Sequence, residues 1–172
     1  MSMTLNPVNE AAFQKAVQSL ETLNRAAVFH PTGTGKSCIA WKVVEAHPQT
    51  TFFWLVAGAQ RLALRQAELT RYNGGTLPGN VRFCDCEKLA AATPEQWVRL
   101  GEQKPGCIVL DCYHELSAVC WAQSVQKLLR MCPQAKVLGL GVPNGAPVCA
   151  AAQELFADCI VSHMTVAEAM AA

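Results

Sequence analysis

The sequence has 172 residues, of which 51% are hydrophobic and 16% charged, and its 14 Lys and Arg against 13 Asp and Glu leave a net charge of +1. That length suits one globular domain, expected to span 1–172, and the apolar balance excludes global disorder. The near-zero charge excludes a broad field for nucleic acid or an anionic membrane, so any such contact must be local.

Apolar residues Phe13, Ala16, Val17, Leu20 and Leu23 recur at helical spacing, predicting a first helix with Asn9 as its cap after Pro7. Ala26 to Phe29 is a short apolar run stopped by Pro31 and Gly33, which reads as a buried strand entering a turn, and 38–46 is helical. A strand over 51–56 and a helix over 60–72 follow, closed by Asn73-Gly74-Gly75. The pattern then predicts a short strand over 81–84, a helix from Pro94 through Leu100 and an apolar strand over 107–111 that ends in Asp111. A helix over 119–131 carries Trp121, Val125, Leu128 and Leu129 on one face, and 135–140 is another buried strand. Residues 141–147 form a loop by composition, and a short helix over 150–156 precedes the chain's end. Strands alternating with helices imply an α/β fold with a parallel sheet covered on both faces. No repeat, low-complexity tract or linker marks a second domain.

Nine cysteines are an odd count, and the Cys84-x-Cys86 pair lacks the spacing of a zinc site. They read as mostly reduced; Cys38, Cys107, Cys120, Cys149 and Cys159 stand in apolar runs, where a thiol packs as a small hydrophobe. The N-terminal residues have no secretory pattern, and no run of about 18 apolar residues suits a bilayer. The expected location is the cytoplasm, with no membrane partner.

The chemistry concentrates at Pro31-Thr32-Gly33-Thr34-Gly35-Lys36-Ser37, between a strand and a helix. Gly33 and Gly35 let the backbone turn tightly, so that successive amides of Thr32, Gly33, Thr34 and Gly35 face a polyphosphate at a helix N-terminus. Lys36 would place its ammonium by the terminal phosphates, and the Ser37 hydroxyl would ligate magnesium. His30 stands where the strict phosphate-loop motif has its first glycine. The alternative is a glycine-rich turn that merely caps a helix.

Such a loop needs an acid at the end of a neighbouring strand to hold magnesium, and Asp111 is placed for that role. A second acid commonly follows to polarise the attacking water, but this chain has Cys112, a thiol that is mostly neutral at pH 7. The weaker alternative for Asp111 is a strand-end acid capping the next turn, and the alternative for Cys112 is a packing residue. His114 is a further catalytic candidate beside the terminal phosphate, against a purely structural role.

Together these segments resemble the first RecA-like domain of superfamily 2 DEAD/DEAH-box helicases over nearly the whole chain. Phe29 to Ser37 is similar to motif I and Val109 to His114 to motif II, usually Asp-Glu-x-His. Phe53 to Val56 with Gln66 resembles the motif Ia region, and Ala135 to Leu140 the strand before motif III. The resemblance implies a RecA-like P-loop NTPase, a three-layer α/β/α sandwich with a mainly parallel sheet that binds ATP and Mg. The departures fall on working positions: Cys112 replaces the motif II glutamate, and Gly141-Val142-Pro143 replaces the Ser-Ala-Thr of motif III. No second RecA-like domain is expected within 1–172, and a partner chain is one source that could supply it. The family contacts DNA or RNA through the motif Ia side, where Arg61 and Arg65 share a helix face and Arg71 follows, although Glu68 among them suits a solvated face equally.

Three functions follow as expectations. The chain is a helicase-type ATP-binding domain that hydrolyses poorly or not at all alone; or an ATPase or helicase half completed by another chain and acting on nucleic acid; or a non-enzymatic remnant or decoy interaction module. A small-molecule kinase is a weaker reading, since no arginine-rich lid is present.

Overall fold

In the computed structural model, residues 3–111, 113–143 and 150–171 are described, apart from the side chain of Ala151. Six strands form one sheet in the order β3-β2-β4-β5-β1-β6: β1 Arg25–Phe29, β2 Phe52–Val56, β3 Val81–Asp85, β4 Cys107–Asp111, β5 Lys136–Gly141 and β6 Ile160–His163. Every pairing is parallel. The helices over Pro7–Thr22 (α1), Lys36–Ala46 (α2) and Ala59–Tyr72 (α3) alternate with the first strands. Later come α4 Cys86–Ala90, α5 Pro94–Glu102, a helical stretch from Ala118 to Met131, a helix over Ala150–Phe156 and a last one over Val166–Ala171.

The two-residue period of a strand sorts the apolar run of β2 onto both faces of the sheet. Phe52, Trp54 and Val56 join Val28, Val109, Leu138 and Leu140 in a core covered by α1, α2 and α3 through Ala16, Leu20, Ile39, Trp41 and Leu69. Phe53 and Leu55 join Ile108, Leu110 and Val137 on the other face, beneath Trp97, Trp121, Val125, Leu128 and Phe156. Helix, sheet and helix make three layers: this is the RecA-like α/β sandwich expected from the alternation. No helix among the described residues is long and apolar enough to cross a membrane.

Several local expectations change. The first helix starts at Pro7, because Asn6 rather than Asn9 caps it, accepting a 2.8 Å hydrogen bond from the Asn9 amide. The expected helix over 119–131 is three pieces, with a wider π turn over Trp121–Gln126 between Ala118–Cys120 and Lys127–Met131. β6, absent from the sequence reading, adds itself beside β1 with Phe29 level with His163. It is a four-residue edge strand with half of its positions exposed, so it lacks a buried strand's apolar run. The seven described cysteines are free, and burial pushes the thiols of Cys84 and Cys107 up to about 12. Cys149 lies outside the described residues, as do residues 144–147 of the expected loop.

Candidate functional site

Parallel strands bring their C-terminal ends to one edge, where a doubly wound sheet binds its ligands. β1 ends at Phe29 and runs into the loop; two strands away, past β5, β4 ends at Asp111. In register, Asp111 stands opposite Val56 of β2 and Leu140 of β5.

The loop turns through left-handed conformations at Gly33 (φ 85°) and Gly35 (φ 87°). A Cβ on Gly33 would meet nothing, so its φ alone demands glycine; one on Gly35 would also stand 2.8 Å from Asn9 Nδ2. Gly35 is the N-cap of α2 and no side chain caps that end; the Cys38 amide donates to Gly35 O at 2.9 Å, which leaves the Lys36 and Ser37 amides to an external acceptor. Thr34 Oγ1 donates to Pro31 O at 2.7 Å, and buried Asn9 donates from Nδ2 to Thr34 O at 2.8 Å, tying the loop to α1. Lys36 is buried, and its Nζ donates to His30 O at 2.7 Å and Pro31 O at 2.8 Å. The ammonium is thus held inside the loop's own ring of carbonyls, beside the turn. Thr32 is exposed on the rim.

Asp111 is 3% exposed and compensated on its α3 side. Its Oδ2 accepts a 3.0 Å bond from Trp54 Nε1 and lies 2.6 Å from Arg65 Nε in an ion pair. Arg65 Nη1 donates 2.8 Å to Ser37 Oγ and also pairs with Glu68. Burial works against the guanidinium's charge, but Asp111 and Glu68 outweigh it and hold Arg65 above its ordinary value, so it is permanently cationic. The structure therefore brings Lys36, Ser37 and Asp111 to one edge and adds Arg65 to them.

Arg61, expected on the same face, makes an ion pair with Glu115, and Arg71 lies over the Tyr72 ring. The two arginines of the motif Ia face are therefore each met by an acid instead of forming an open basic stripe. His114 lies 3.6 Å from Glu115 Oε1 and, with Phe29, Tyr113 and His163, lines a cavity of about 480 Å³ beside the end of β1. Burial lowers its pKa, partly offset by Glu115, so it is neutral at pH 7. Cys112, the candidate degenerate catalytic position, lies outside the described residues. Asn9, Trp54 and Ser162 support the site and no motif marks them; Asn9 in particular read as a helix cap, and its bond to the loop comes from the fold.

His30 fills the position of the motif's first glycine as a fully buried side chain, with Nε2 2.7 Å from Ser162 Oγ of β6. Burial, then the charges of Lys36 and His163, push its pKa down from 6.5 to about 4. The unfolded chain therefore binds more protons between those values, and stability is lost as pH falls from about 6.5 to about 4. Urea unfolding at pH 7 and pH 4.5 is expected to show wild type losing about 2 kcal/mol more than His30→Gln. Parallel profiles for the two would remove His30 as the cause.

For phosphate the residues fit: an uncapped helix N-terminus, two left-handed glycines and a buried lysine converge. For magnesium they do not fit as arranged, because both side chains that would hold it already share the Arg65 guanidinium.

No protein-family model and no curated protein sequence matches the chain. Among solved structures it is similar to a hypothetical ATP-dependent RNA helicase from Sulfolobus tokodaii, with a TM-score of 0.64 and 9% identity over 90% of this chain and 52% of that one. It is also similar to the DUF1998 helicase MrfA, with a TM-score of 0.62 and 14% identity over 95% of this chain and 33% of that one. The chain spans about half the length of the first and a third of the second. At these identities the likeness is one of fold, and the chain has the RecA-like fold of helicase domains.

Proposed function

We propose that the chain is a nucleotide-binding domain that holds ATP by its phosphates in the Thr32 to Ser37 loop and turns it over slowly or not at all by itself. The observation that carries this is Lys36, a buried ammonium set within the loop between two left-handed glycines and an uncapped helix N-terminus. Those groups supply donors and positive charge in the arrangement a polyphosphate accepts. Slow turnover follows from composition, since Cys112 provides no carboxylate where a water-orienting acid is wanted, and such groups contribute roughly 10²-fold to 10⁴-fold.

Thermal melting with and without ATP tests the binding. A ligand stabilises the folded state by RT ln(1 + [L]/Kd), about 2.7 kcal/mol at a hundredfold excess over Kd. The expected result is a melting temperature that climbs with ATP concentration and does not respond to adenosine. A flat profile would leave the loop as a structural turn and return the chain to the interaction-module reading.

A further inference from the structure

Ser37 and Asp111 are the two side chains from which a loop-bound nucleotide's magnesium would be expected to take ligands, and in this protein one guanidinium joins them. Arg65 reaches from α3 with Nη1 2.8 Å from Ser37 Oγ and Nε 2.6 Å from Asp111 Oδ2. The same Asp111 oxygen accepts Trp54 Nε1, so it is doubly engaged. Glu68 pairs with Nη1 from the next turn of α3 and steadies the arginine there. Magnesium asks for a near-octahedral shell of oxygens at about 2.0–2.1 Å and gives up its water reluctantly. A fixed cation hydrogen-bonded to the Ser37 oxygen and ion-paired with the Asp111 oxygen competes by both charge and occupancy. Nη2 meanwhile carries two N–H groups with no partner among the described residues, donors suited to a phosphate oxygen.

We propose that Arg65 is the resident cation of this site, so that the loop takes the nucleoside polyphosphate in its metal-free form. The proposal rests on the nucleotide-binding reading, and it narrows that reading to the uncomplexed polyanion. It also gives Arg65 a different task from the strand-contacting one its place on the motif Ia helix suggests.

The test titrates ATP into the full chain by calorimetry, once with excess MgCl₂ and once with EDTA. Wild type is expected to bind with affinities within about threefold of each other, whereas Arg65→Gln should lose about tenfold or more in EDTA and recover with Mg²⁺. A wild-type affinity about tenfold weaker in EDTA overturns the proposal, and needs no variant to be folded. A nucleotide-free arm follows melting of the apo chain with MnCl₂. A Mn²⁺ shift in Arg65→Gln that is missing from wild type and from Arg65→Gln with Asp111→Asn supports the resident cation; any other pattern overturns it. Should ATP bind under neither condition, the nucleotide reading falls and the Mn²⁺ arm alone decides whether Arg65 excludes a divalent ion.

Discussion

Lys36→Ala is expected to weaken ATP binding roughly 10-fold to 100-fold, the loss that goes with one charge-assisted contact of about 1.5–3 kcal/mol. Lys36 is the one cation carried by the loop itself, and its Nζ is enclosed with the His30 and Pro31 carbonyls as acceptors. Binding requires the ammonium to exchange those carbonyls for phosphate oxygens, a trade of neutral acceptors for charged ones. The substitution also leaves the His30 carbonyl short of a donor, while Pro31 O keeps the Thr34 hydroxyl, so a stability loss of about 1 kcal/mol should accompany it. Comparing Lys36→Ala with Lys36→Met separates the effects, since methionine keeps the buried stem without the charge. Both variants should bind ATP weakly, and Met should melt closer to wild type. Affinity equal to wild type in both would sink the phosphate-loop assignment.

The layered fold was legible because strand burial here is simple. The runs Phe52 to Val56 and Cys107 to Asp111 are buried at every position, a pattern that a sheet covered on both faces produces. The loop was legible because a φ near +85° at Gly33 and Gly35 leaves a mark in composition. Three things left no such mark. β6 has one exposed residue at each end and joins the sheet as a short edge strand beside β1, so it shows no buried apolar run. α4 is a single turn of five residues capped by Asp85, too short to show a period. The contacts that shape the site are remote in sequence: Trp54 meets Asp111 across 57 positions, Arg65 meets Ser37 across 28 and His30 meets Ser162 across 132. Spacing rules reach a few residues, so Arg65 read as half of an i, i+4 basic pair with Arg61 when only α3 was in view. Its partners come from β4 and the loop, and burial of Asp111 makes them decisive.

Trp54 carries the largest expected stability effect, and it joins the core to the site. It is fully buried on β2, between β3 and β4, with its ring 5.9 Å from that of Phe83. Trp54→Ala is expected to cost about 3–5 kcal/mol, the range for deleting a large aromatic side chain from a packed interior. Trp54→Phe keeps most of the ring and removes only the indole N–H, so it should cost less than half as much. The phenylalanine variant nevertheless strips Asp111 of its neutral donor and leaves the carboxylate with Arg65 alone, within a buried setting where a missing bond is felt. Denaturant unfolding should therefore rank wild type above Trp54→Phe and Trp54→Phe well above Trp54→Ala. Combining Trp54→Phe with Asp111→Asn tests whether the two act through one bond: the double variant should be more stable than the sum of the single losses implies. Strict additivity would mean that the indole stabilises the core by packing alone and that Asp111 is positioned by Arg65 without it.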